Sequence, residues 1–218
     1  MCFSATASFV TAGVTGAIGL VSLGRANGLR ELPLAATPLV FALQQTIEGL
    51  LWVNLPWAPN GTFAAGLIFL FLFIAEVVWP VYAPIAVWLI EPDERRRQLM
   101  LPCLAIGLSV GAWLLWPILT QPHSAAVLGD HIVYVTENKH SDLLGLAYLA
   151  ATTLPLVLSS RRTMVALGAI ILTGSVVAYF LYWEAFVSVW CYFAAAASVV
   201  ILVHFELSRR HRLRMAGA

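Results

Sequence analysis

Runs of about twenty apolar residues recur along this chain, each closed by a short polar or proline-bearing stretch. As an α-helix, a run of that length rises about 1.5 Å per residue and spans the roughly 30 Å hydrocarbon core of a bilayer. Of the 218 residues, 61% are hydrophobic and 11% are charged, more apolar surface than a soluble domain of this size needs. A transmembrane barrel would show short alternating segments, and none occur. The expected fold class is all-α: a polytopic integral membrane protein built as a seven-transmembrane helix bundle. Hydropathy places the spans near 4–23, 32–53, 63–89, 99–119, 142–159, 163–183 and 187–207, with an outer loop over 120–141.

The charges orient the bundle. Eleven of the twelve Lys and Arg residues fall in loops that seven spans put on one side: Arg25 and Arg30, Arg95 to Arg97, Arg161 and Arg162, and four arginines from Arg209 to Arg214. Only Lys139 falls on the other. The positive-inside rule then predicts the N-terminus outside and the C-terminus in the cytoplasm of a cell whose plasma membrane holds the protein. Residues 1–208 form the membrane domain and 209–218 a basic cytoplasmic tail, whose simplest partner is anionic lipid. A net charge of +1 with no basic domain argues against a nucleic-acid partner. No positive charge precedes the first apolar run, so MCFSATASFV does not read as a signal peptide. Cys2, Cys103 and Cys191 are too few and too dispersed for a disulfide framework or a CxxC site.

Most other features read as membrane packing. Trp52, Trp57, Trp113, Trp116, Trp183 and Trp190 fall near the outer boundary and Trp88 near the inner one, as an aromatic belt requires. Ser4, Ser8, Thr11, Thr15 and Ser22 form a small-hydroxyl stripe on the first helix, and Gly107 and Gly111 a GxxxG on the fourth. In the outer loop, His131 to Thr136 is a β-prone run after a Gly129-Asp130 turn signal, which predicts a hairpin over the bundle mouth.

The candidate site is the stretch FALQQTIEGLLW, Phe41 to Trp52. Gln44 and Glu48 share a helix face, with Gln45 beside them. A carboxylate inside a membrane span is costly and points to a proton, a cation or a polar ligand. Glu48 lies six residues, about 9 Å, below the outer end of its span, within reach of an outward-facing polar cavity. Glu76 precedes Trp79-Pro80. Pro80 cannot donate to the carbonyl four residues back, which is that of Glu76, so a free carbonyl and a carboxylate are expected together at a kink. Counted from the outer end of its own span, Glu76 lies about 20 Å down, deeper than Glu48. Tyr179 and Tyr182 end the sixth span and complete the ligand-binding set with Glu48, Gln44, Gln45 and Glu76. A metal ion is the cofactor the residue types allow, with Cys2, Cys191, His131 and His140 as its candidate ligands. His204, and the Glu206–Arg210 pair, read as helix-end electrostatics.

With Cys2-Phe3-Ser4-Ala5-Thr6-Ala7-Ser8-Phe9, Gln44-Gln45-Thr46-Ile47-Glu48-Gly49, Trp79-Pro80 and Ser188-Val189-Trp190-Cys191 on the page, the chain resembles a family of small bacterial multi-pass membrane proteins known only as a domain of unknown function. The resemblance covers nearly the whole chain and implies a plasma-membrane location and no particular activity. In architecture alone the chain is similar to alkaline ceramidases and progestin/adiponectin-type receptors. Those proteins hold zinc on several intramembrane histidines, whereas this chain has only His204 near a helix. The function expected first is binding or transport of a small ligand or ion around Glu48. A membrane-embedded, metal-dependent hydrolase or lipid-modifying enzyme and a structural accessory subunit are the alternatives.

Overall fold

Uninterrupted apolar stretches bounded by capping residues set the helix limits in the computed structural model, which describes residues 4–136, 142–181, 195 and 197–216. Helix α1 (Ala5–Leu23) starts where the Ser4 side chain accepts a hydrogen bond from the Ala7 N–H at 3.2 Å. Helix α2 (Leu32–Asn54) starts with Pro33, whose fixed φ suits a first turn. The third apolar run folds as α3 (Thr62–Leu72), a π-helical turn (Phe73–Val78) and α4 (Trp79–Ile90) without a break. Helix α5 (Glu94–Thr120) is capped by Asp93, whose carboxylate accepts from the Arg96 N–H at 3.0 Å. Strands β1 (His123–Leu128) and β2 (His131–Thr136) pair antiparallel. Helices α6 (Asp142–Leu158), α7 (Arg162–Leu181) and α8 (Ser198–Ala216) follow.

The hairpin forms where the sequence predicts it. Gly129 takes φ +59, a left-handed value cheap only for glycine, and Leu128 pairs with His131 across the turn. Ala125 and Ile132 are buried, and the Tyr134 ring stacks on Phe71 of α3 with centroids 4.4 Å apart. We call this end of the bundle the hairpin end. The opposite end, where α4 meets α5 and α6 meets α7, carries the arginines.

Five segments are long and apolar enough to cross a membrane: Ala5–Leu23, Leu32–Asn54, Thr62–Ile90, Glu94–Thr120 and Arg162–Phe180. Their outward faces are apolar too, with Leu20, Trp57, Trp113 and Trp116 each at least two-thirds exposed. Seven spans were expected from hydropathy. Asp142–Leu158 is apolar but has only 17 residues. The seventh expected span begins outside the described residues, and its described part continues as helix to Ala216, through the arginines expected to form a tail.

Packing follows the small residues. Helix α1 lies along α2 and buries Ser8, Thr15 and Ser22. A Cβ on Gly19 would come within 2.6 Å of Leu39, and one on Gly49 within 2.7 Å of Phe9. Gly107 meets the first turn of α4 even more closely, since a Cβ there would sit 1.9 Å from the Pro80 carbonyl oxygen. The GxxxG of α5 therefore lets its backbone lie directly against the kinked helix, as small residues do in membrane bundles.

Candidate functional site

The broad inward face of α2 buries its polar residues along with its apolar ones. Gln44, Gln45 and Glu48 are all 0% exposed, between Phe41, Ile47 and Leu51. The Gln45 amide Nε2 donates to Glu48 Oε2 at 3.4 Å, and the Trp79 indole Nε1 donates to Gln44 Oε1 at 2.8 Å. Phe41 stacks on Trp79, centroids 4.1 Å apart at 22°. Glu76, on the π turn, is 8% exposed. Gln44, Gln45, Glu48 and Glu76 have further interactions, so each is held by more than these contacts.

The Gln44–Trp79 bond ties the two acid-bearing helices together at one point. α2 runs toward the hairpin end and the α3–α4 helix runs away from it. Glu48 is four residues past Gln44 and Glu76 three residues before Trp79, so both lie on the hairpin side of the bond. The offsets are about 6 Å and about 4.5 Å along the two helices. Each acid thus stands about one turn from that bond on its own helix, and we refer to this polar region as the layer.

The π turn also moves the orphan carbonyl. In a π register the acceptor lies five residues before the donor, and the Trp79 N–H accordingly reaches the Ile74 carbonyl. Pro80 then leaves the Ala75 carbonyl, one residue earlier than the α register predicts. The Tyr148 hydroxyl of α6 donates to it at 2.5 Å. A third helix thus supplies the hydrogen that proline lacks, beside Glu76.

The other candidates divide. Tyr179 is 46% exposed on α7, edge-on to Phe180 at 5.4 Å. His131 belongs to the hairpin, at its turn end. Cys2, His140, Tyr182 and Cys191 lie outside the described residues. Among the described residues no three His, Cys, Asp or Glu side chains come together as a metal site. Trp79 is a site residue that sequence reasoning did not single out. Its signal was a tryptophan in mid-span, away from either belt.

Sequence reasoning also passed over Glu91, 3% exposed just past α4 at the arginine end. Its Oε2 accepts from the Ser159 hydroxyl at 2.7 Å and the Ser160 N–H at 2.9 Å, and its Oε1 from the Asp93 N–H at 3.1 Å. Burial pushes its pKa up, but the bonds from Ser160, Ser159 and Asp93 outweigh that and hold it below the ordinary value. Arg96 donates to the Leu158 carbonyl at 2.7 Å and Arg161 to the Ile90 carbonyl at 3.2 Å. These contacts lock the α4–α5 and α6–α7 turns together. Nearby, Glu206 pairs with Arg25 at 3.1 Å and Arg210 at 2.8 Å, and Arg212 donates to the Arg25 carbonyl. Arg212, expected in a tail, is thereby docked on the turn that follows α1.

The model of a family of unknown function, DUF6629, matches residues 1–216. No curated protein and no solved structure matches the chain. The expectation of a domain-of-unknown-function family thus holds over nearly the whole length.

Proposed function

Because the chain belongs to DUF6629, a family of unknown function, its chemistry is read from its own residues, and we propose that it binds a proton or a small cation in the layer around Glu48 and Glu76. In this reading it is a multi-pass protein of the plasma membrane, with seven spans and its arginine end in the cytoplasm. The observation that carries the proposal is the pair of carboxyls, 0% and 8% exposed, on helices long enough to cross a bilayer. Acids are kept at such depth where a charge must be met or moved. Two glutamine amides and an indole N–H supply orientation, and Tyr148 holds the turn that carries Glu76.

Size favours an ion over an organic ligand. The cavity next to the layer is lined by apolar side chains and two threonines and holds about 50 Å³. That admits a few waters, whereas sites for drug-sized ligands run to about 300 Å³ or more.

Infrared difference spectroscopy on the purified protein tests the reading. A carboxyl band that shifts with pH or with added sodium is expected in the wild type and absent in Glu48→Gln, with helical content unchanged. A band that persists in Glu48→Gln takes the ion away from Glu48. Loss of stability with no band in either protein assigns the layer to helix packing instead.

A further inference from the structure

The cavity lies immediately on the arginine side of the polar layer. Phe41 and Trp79 form its ceiling, and the Trp79 indole reaches past it to Gln44. Leu167 of α7 and Ile201 of α8 lie toward its floor, and among the described residues Thr37 and Thr152 place the hydroxyls in its wall. One turn beyond that floor, on the same two helices, Thr163 Oγ1 and His204 Nδ1 are 2.6 Å apart. His204 is 5% exposed, though it carries an ionisable ring. Along the bundle the order is therefore carboxyl layer, stacked aromatic ceiling, cavity, imidazole, arginine end.

We propose that this cavity is a hydrophobic gate on a proton path that joins the Glu48–Glu76 layer to His204. Apolar constrictions in membrane proteins open and close by wetting and dewetting. At about 10–15 Å³ per water, a 50 Å³ space has room for roughly three waters. The hydroxyl protons of Thr37 and Thr152 are directed to the Pro33 and Tyr148 carbonyls at 3.2 and 3.0 Å. Their oxygens keep lone pairs for an entering water. A proton from the hairpin end is taken up by a carboxylate of the layer and passed through water to the His204 imidazole. It then leaves to solvent at the arginine end. Only O–H and N–H bonds form and break, and both groups return to their starting state.

The inference rests on the reading that the layer binds protons, and the experiment separates the two. The full-length protein is reconstituted in phosphatidylcholine/phosphatidylglycerol vesicles with a trapped pH dye. A pH step is then imposed with the potential clamped by potassium and valinomycin. Wild type is expected to dissipate the step faster than protein-free vesicles. Ala86→Leu, which fills the cavity, should slow that by about tenfold or more, Ile201→Thr, which wets it, should speed it, and His204→Gln should abolish it. Ile201→Thr and His204→Gln decide the matter if Ala86→Leu does not fold. A wild type no faster than empty vesicles overturns the gate, as does a rate indifferent to the folded variants. If the carboxyl band still titrates in that inert protein, the binding layer stands and only the path fails. If the band is missing as well, the layer itself was misread.

Discussion

Glu91 shows how a single side chain can join two turns that are far apart in sequence. Removing it leaves the Ser159 hydroxyl and the Ser160 and Asp93 N–H groups without an acceptor. Glu91→Ala is expected to lose about 1–3 kcal/mol, chiefly from orphaning the buried Ser159 hydroxyl. Its folded pKa lies below the ordinary 4.5. The stability it contributes is therefore complete above 4.5 and is lost as the pH falls through the lower, folded value. Thermal unfolding in detergent should show an acid limb in the wild type that flattens in Glu91→Gln. An identical limb in both proteins would mean that other carboxyls set the acid sensitivity. Glu48 announced itself in the sequence because it interrupts an apolar run. Glu91 did not, because it stands at a loop boundary among other charges, where an acid is ordinary. Only its partners, nearly seventy residues away, make it structural.

The π turn is the element on which the candidate site depends. Pro80 was visible in the sequence, and so was the expectation of an unfilled carbonyl near Glu76. The extra residue of the π register was not. Tertiary contacts accompany it: Tyr148 of α6 donates to the Ala75 carbonyl, and the α5 backbone lies against the Pro80 carbonyl at Gly107. The GxxxG was legible as a close-approach motif, but its partner was not, because small residues state only that something comes near. A methyl group at Gly107 would overlap a backbone oxygen that cannot swing aside. Gly107→Ala is expected to destabilise the bundle by about 1–3 kcal/mol, in the range of overpacking. It should also disturb the Glu76 turn, whereas Gly66→Ala, which meets nothing within 4 Å, should be nearly silent. Paired melting curves in one detergent would check this; equal midpoints for the two variants would mean that α5 can retreat from the turn without loss.

At the scale of the whole molecule, the question is whether α6 crosses the membrane. Its 17 residues rise only about 25 Å, short of the roughly 30 Å core. Its contacts nevertheless cover the depth of the bundle. Tyr148 stands level with the π turn, Thr152 and Leu156 line the cavity, and the Leu158 carbonyl meets Arg96 in the first turn of α5. Hydropathy and charge, taken from the sequence, agree with a crossing, since one span fewer would put Arg161, Arg162 and Arg209 to Arg214 on the opposite side from Arg25, Arg30 and Arg95 to Arg97. A helix this short can cross if the bilayer thins locally or flanking residues reach out to the interface. Three crossings then separate the hairpin from the C-terminal helix. Single cysteines in a cysteine-free background, Asp130→Cys in the hairpin turn and Arg214→Cys near the end of α8, are expected to lie on opposite sides. A membrane-impermeant maleimide on intact cells should label Asp130→Cys at once and Arg214→Cys only after permeabilisation. Equal labelling of both on intact cells would make α6 a re-entrant segment. That result would also be at odds with the Arg96–Leu158, Arg161–Ile90 and Arg212–Arg25 contacts, which bring the arginine clusters together at one end of the bundle.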